Sequence, residues 1–315
     1  MAWHWIAPEW GNPDVWRFEE YTPPAPGPGE VTIRVHAAGV NPADAKHVAA
    51  ERLGVRLPVA IGYEVSGEIA AIGPHTEIGS GPASVGDDVL AFRVSGGYAT
   101  ELTIPAEKAF HKPSTLSHPE AANLLLTGTT AAEMLAVTRV AAGETVLLHA
   151  ASGAVGVSVL QQAALMGARV IGTASPARAD DVRRFGGIPV AYGDGLADRI
   201  RAAKADAGID RIDAALDAVG TDEAVTTSLE FVPDRSRIVT VVASAAAKAE
   251  GFAAIAGSMP ASAVFRDDAR ARLIERAGRG DLVVPMARTY PLNDAPAAHA
   301  FLSQGHPGGA LALIP

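Results

Sequence analysis

The sequence predicts a two-domain α/β protein, with a β-rich amino-terminal part followed by a doubly wound parallel sheet. Three observations carry that prediction. At 315 residues the chain exceeds one ordinary domain of roughly 150. Up to about residue 110, short apolar or alternating runs are broken by glycine and proline, as in strands joined by tight turns. From about residue 118, alanine-rich helical stretches alternate with short β-branched runs, the pattern of parallel strands connected by crossover helices.

In the first part the expected strands are 31–35, 68–72, 88–92 and 100–104, separated by segments such as Pro26-Gly27-Pro28-Gly29 and Gly79-Ser80-Gly81-Pro82. All four tryptophans (Trp3, Trp5, Trp10 and Trp16) lie in the first 16 residues. Trp3 and Trp5 share one strand face, which reads as a packed hairpin or an exposed aromatic patch before a ligand platform. In the second part, strands are expected at 145–150, 169–174, 188–192, 212–217 and 237–243, with helices between them. After about residue 257 the pattern turns irregular, then gives a helix (267–279), a strand (282–288), a short helix (295–304) and a last strand (310–314). The expected domains are 1–120, 121–257, and a tail, 258–315, that returns to the first.

Composition excludes several classes. Hydrophobic residues make up 48% and charged residues 19%, so a sizeable core is expected and disorder is not. The net charge of −9 offers no basic face for nucleic acid. Cysteine is absent, which removes disulfides, thiolate nucleophiles, iron–sulfur clusters and cysteine-ligated zinc. No stretch reaches the ~18 uninterrupted apolar residues of a membrane helix, and the start lacks a secretory pattern. The expectation is a soluble, cytoplasmic protein.

The most informative segment is Thr145-Val-Leu-Leu-His149-Ala-Ala151-Ser152-Gly153-Ala154-Val155-Gly156, where a buried strand runs into a glycine-spaced turn and then a helix. Val155, Val159 and Ala163 recur at i, i+4 and i+8, one helix stripe that can pack on a sheet. With the next strand the unit takes about 30 residues, the length of a mononucleotide-binding βαβ. A small residue at Ala151 permits the tight turn, Gly153 lets the main chain approach a pyrophosphate, and Gly156 lets helix and strand pack closely. The amides around Ser152, Gly153, Ala154 and Val155 then face the anion. The pattern is A-x-G-x-x-G, one glycine short of the usual fingerprint.

The ribose of such a dinucleotide is read about 20 residues further on. That strand ends here in Ala174-Ser175-Pro176-Ala177-Arg178, with no carboxylate until Asp180. Ser175 offers a hydrogen bond and Arg178 a charge suited to a 2′-phosphate, which favours NADPH over NADH. A solvated charge at a helix start is the competing reading of Arg178.

These residues resemble the medium-chain dehydrogenase/reductase superfamily and, within it, the zinc-free quinone oxidoreductases. The resemblance runs over nearly the whole chain: Gly29-Glu30-Val31 through Val40-Asn41-Pro42-Ala-Asp44, then Ile61-Gly62-Tyr63-Glu64-Val65-Ser66-Gly67, then Leu126-Thr127-Gly128-Thr129-Thr130-Ala131, then the glycine turn, in order. It implies a GroES-like β-rich catalytic domain and an inserted Rossmann domain, with the active site in the cleft. In zinc-dependent relatives a cysteine and a histidine stand where this chain has Asn41 and Tyr63, so no catalytic metal is expected. His36 and His47 lie nearby in sequence and read as ordinary surface or core residues.

Without a Lewis acid, electron-poor acceptors suit the site best. The resemblance therefore implies an NADPH-dependent quinone reductase, with an alkenal/enone or enoyl-thioester reductase as the alternative. A non-catalytic NADPH-binding sensor or structural protein is the reading from another class. Tyr63 is the candidate to hydrogen-bond or protonate the acceptor, or else it fills the space left by zinc. Asn41 matches a position that orients substrate or nicotinamide, Thr127 one at the nicotinamide end, and Tyr192 one near the 2′-phosphate. Two departures stand out: Gly308-Gly309-Ala310 lacks the lysine relatives carry there, and residues 243–261 lack the family pattern. A homodimer is expected through the sheet edge at 237–242.

Overall fold

The computed structural model describes residues 1–52, 54–305 and 308–315, in two compact units: Met1–Leu126 with Ala271–Pro315, and Thr127–Arg270. The passages between units fall inside the helices Leu125–Val137 and Pro260–Gly278.

In the first unit the strand Glu30–Val40 organises a seven-stranded sheet, pairing antiparallel with Glu64–Ile72, Glu101–Pro105 and the tail strand Ala310–Ile314. Val31, Ile33 and Val35 alternate into the core, and Ala37 and Ala38 continue the buried run. That continuation carries the strand five residues past the expected end and delivers the chain to Asn41. The register pairs Ala38 with Val65, so the exit of one strand and the entry of the other meet at the same end of the sheet. Asn41 meets Glu64, the residue after Tyr63, for this reason. At the amino terminus Trp3 and Trp5 do lie in a hairpin, Ala2–Ala7 against Arg17–Tyr21, in which Phe18 packs against both.

The second unit is a six-stranded parallel sheet ordered Ile188–Ala191, Arg169–Ala174, Thr145–His149, Ala214–Asp217, Ile238–Thr240 and Ala253–Ala254. Numbered along the chain, that order is 3-2-1-4-5-6, the doubly wound arrangement whose direction reverses between the first and fourth strands. Val146 and Leu148 point to one helix layer, Leu147 to the other, so both faces are covered.

Three expectations need correction. The strand expected at 282–288 lies instead at Met286–Pro291, because Pro285 has no amide to donate to a ladder. The helix expected at 267–279 begins at Pro260. The strand expected at 237–243 shrinks to Ile238–Thr240 and is not the sheet edge. The helix Ser244–Glu250 carries the chain back so that Ala253–Ala254 pairs alongside it, leaving a two-residue outer strand. A dimer through 237–242 therefore loses its exposed edge.

Candidate active site

The glycine turn sits at the carboxyl end of the Thr145–His149 strand, beside the point where the sheet order reverses. Ligands of doubly wound sheets enter at that crevice. Ala150 takes φ 61°, which folds the chain back so that the Gly153 amide donates to the Ala150 carbonyl at 3.1 Å. The helix Ala154–Leu165 starts at Gly153 with no side chain capping it. Its first amides are thus left for an outside acceptor, at the positive end of the helix dipole. A Cβ on Gly156 would come within 2.2 Å of the Ala150 carbonyl oxygen, so only glycine lets helix and turn lie this close. Ala151 and Ser152 are buried in the turn, while Ala154 is exposed and Val155 half-buried. Thr127 is buried in the first turn of the helix Leu125–Val137. The donors, the cradle and the crevice fit a dinucleotide diphosphate.

Ser175 and Tyr192 follow the paired residues Ala174 and Ala191 of adjacent parallel strands, so they stand side by side past the sheet. Tyr192 is 58% exposed. Arg178 closes the short turn Pro176–Arg178 and is paired with Asp181 at 3.2 Å. The structure therefore brings Ser175 and Tyr192 together, while the Arg178 side chain is turned to Asp181, which answers part of its charge. Arg199, which the sequence did not single out, donates to the carbonyls of Ala191, Gly193 and Asp194 and fixes the loop carrying Tyr192.

Within the same crevice lie His149 and Asp217, both buried and both absent from the expected set. Asp217 accepts from the amides of Val219 and Gly220 and from the Thr240 hydroxyl. Burial drives His149 down to about 4, against the pull of Asp217.

In the first unit, Asn41 belongs to a buried polar cluster with Asp44, Glu64 and Tyr98, and the half-buried Tyr63 pairs with His47. Gly62 holds φ 102° and presses against Tyr98, so a Cβ there would meet the Tyr98 ring at 2.5 Å; this sets where Tyr63 projects. The Asn41 amide donates to Glu64 Oε1 at 2.9 Å, and the Leu126 amide donates to Glu64 Oε2 at 3.0 Å. The Asn41 backbone donates to Asp44 Oδ2 at 2.7 Å, and that oxygen also accepts from the Tyr98 hydroxyl. Burial raises Asp44 to about 7 and Glu64 to about 8, outweighing the hydrogen bonds that favour their charged forms. The Tyr63 hydroxyl lies 2.5 Å from His47 Nδ1. Burial, with Asp44 adding to it, pushes Tyr63 up to about 12; burial and Arg52 lower His47. His47, which reads from sequence as an ordinary residue, thus holds Tyr63.

Residues 27–114 match the model of the alcohol dehydrogenase GroES-like domain, and residues 194–313 match that of the zinc-binding dehydrogenases. Together the two cover more than half of the chain. The chain belongs to the medium-chain dehydrogenase/reductase superfamily. A quinone oxidoreductase of Pseudomonas aeruginosa is 34% identical over 180 residues, spanning 56% of this chain and 54% of that protein, about half its length. A 2-haloacrylate reductase of a Burkholderia species is 29% identical across 97% of the chain and 96% of its own length. The solved structure of a mycobacterial protein complexed with NADPH superposes with a TM-score of 0.83 at 28% identity, covering both chains completely.

The superfamily includes zinc enzymes, but the donor set here does not suit zinc. Asn41 presents an amide that donates to Glu64, Tyr63 is engaged by His47, and no cysteine exists in the chain. Among the described residues, no three histidine, aspartate or glutamate side chains converge on a point that could hold a metal.

Proposed function

We propose that the chain is an NADPH-dependent oxidoreductase that delivers hydride to a quinone or similarly electron-poor acceptor without help from a metal. The observation that carries this reading is the uncapped helix start at Gly153, locked by Gly156, at the reversal point of a 3-2-1-4-5-6 sheet. The NADPH complex of the mycobacterial structure and the quinone oxidoreductase among the relatives support it. In this reading the second unit is the coenzyme domain and the first the catalytic domain.

NADPH, when bound, supplies the hydride. The chain's own residues do the rest. Amides at 154–156 hold the diphosphate, and Ser175, Arg178 and Tyr192 meet the 2′-phosphate. Thr127 meets the nicotinamide end, and Asn41, fixed by Glu64, orients the acceptor. Tyr63, kept as the neutral phenol, donates to the oxygen where negative charge develops.

A second reading has one observation in its favour: the relative aligned over nearly its whole length is a 2-haloacrylate reductase, and an acrylate is a double bond conjugated to a carbonyl. Steady-state assays with 1,4-quinones, 2-enals, 2-enones and enoyl thioesters test both. Turnover of quinones supports the first reading and turnover of conjugated double bonds alone the second. Tight NADPH binding with no turnover of any acceptor would instead mark a sensor or structural protein. A homodimer, if formed through this sheet, would use the outer strand Ala253–Ala254; sedimentation at the chain mass would end that proposal.

A further inference from the structure

Resting on that reading, we propose that His47 is a positioning residue that acts through Tyr63, orienting its hydroxyl and replacing the proton Tyr63 gives to the acceptor. The argument begins with a count of hydrogens. Tyr63 has one phenolic proton, and His47 Nδ1 lies 2.5 Å from its oxygen. If that proton were spent on His47, none would remain for a substrate. If Nδ1 carries the hydrogen, it donates to the Tyr63 oxygen and leaves the phenolic proton free to point elsewhere.

The surroundings favour this arrangement. The rings meet edge-on, 82° between planes with centroids 4.8 Å apart, so the imidazole edge faces the hydroxyl. His47 ends the short helix Pro42–Lys46, and its own amide donates to the Ala43 carbonyl, which anchors its backbone. Its position is therefore set by the turn that also carries Asn41 and Asp44. The ring is half-buried, open enough for water to reach the couple, and the cationic Arg52 close by favours the neutral imidazole.

The proton step balances as follows. Hydride reaches the electrophilic carbon of a conjugated carbonyl, its π electrons move onto oxygen, and an enolate forms. The enolate oxygen takes the phenolic proton and Tyr63 becomes a phenolate. The phenolate takes the Nδ1 proton of His47 as a water molecule protonates Nε2 and leaves as hydroxide; proton exchange with solvent then returns the ring to the Nδ1–H tautomer for the next turnover. A hydroquinone anion can leave and be protonated in water, so the couple matters most for conjugated carbonyls.

The test uses the full chain and the variants Y63F, H47A, H47N and Y63F/H47A, assayed with NADPH against a cyclic 2-enone and a 1,4-benzoquinone. H47A should lower kcat on the enone tenfold or more with KM nearly unchanged, while its melting temperature and its Kd for NADPH stay at the wild-type values and report an intact fold and coenzyme site. H47N, whose amide can donate where Nδ1 stood but cannot pass on a proton, should recover only part of the loss. The double variant should be no slower than Y63F alone, because His47 acts only through Tyr63. A readout independent of turnover is nitrogen NMR of labelled histidine, with the His47 signal identified by its loss in H47N; it should show the proton on Nδ1. An unchanged H47A, a double variant slowed by both factors, or a proton found on Nε2 overturns the proposal while leaving the function standing. A wild-type protein that turns over neither acceptor overturns the functional reading, and this proposal with it.

Discussion

Asp44 and Glu64 are buried carboxyls whose pKa values lie well above those of free side chains, and stability must follow from that. Each holds its proton in the folded state to higher pH than in the unfolded chain, so its contribution is complete at low pH and fades as pH rises through the folded value, about 7 for Asp44 and about 8 for Glu64. His149 and His299, lowered to about 4, act oppositely, adding stability as pH climbs from about 4 to their ordinary 6.5. Above 6.5 the carboxyls alone set the slope. Thermal melts should therefore show stability falling between pH 6.5 and 9, and Glu64→Gln should flatten that fall; an unchanged slope in the variant would contradict the assignment. At Arg178 the expected effect is on coenzyme choice. Arg178→Ala should weaken NADPH binding about tenfold, the scale of one charge-assisted hydrogen bond, and leave NADH within about twofold. Calorimetry with both coenzymes checks this. Some of this chemistry was legible in the sequence: Asn41 and Tyr63 stand in recognisable motifs, and Ser175 follows a strand by simple counting. The His47–Tyr63 contact was not, because it depends on a short helix turning His47 back toward the entry of a strand sixteen residues on.

At the scale of elements, the helix Ala154–Leu165 trades stability for binding. Gly153 has extended backbone, φ −73° and ψ 166°, which any residue adopts, so aspartate could cap the helix there without strain. Gly153→Asp should stabilise the fold by about a few tenths of a kcal/mol through the cap and dipole, yet weaken NADPH by at least about tenfold through repulsion of its phosphates. Melting curves paired with titrations test both halves, and tighter coenzyme binding would refute the site. Gly156→Ala should do harm of another kind, costing about 1–3 kcal/mol or more, because its new methyl meets main chain that cannot swing aside. The strand–turn–helix unit was readable because its apolar run, its glycines and its helix stripe are all local. The sheet edge was not: Arg237 to Val242 looks like a terminal strand, and only the return through Ser244–Glu250 shows that two alanines cover it.

For the whole molecule, two units with different sheets divide the work proposed here, one holding the coenzyme and the other the polar cluster around Asn41 and Tyr63. The change from alternating β patterns to strand–helix alternation made that division visible in the sequence, since each architecture imposes its own hydrophobic period. If the second unit binds NADPH, the coenzyme at a hundred times its Kd should add about 2.7 kcal/mol to the stability of that unit. A melting transition that NADPH leaves unmoved would show that it does not. The most direct test of the central claim follows the absorbance of NADPH as it is oxidised by a 1,4-benzoquinone, before and after exhaustive treatment with a zinc chelator. The account predicts turnover with NADPH that the chelator leaves unchanged; no turnover, or turnover lost with the chelator and restored by zinc, would contradict it.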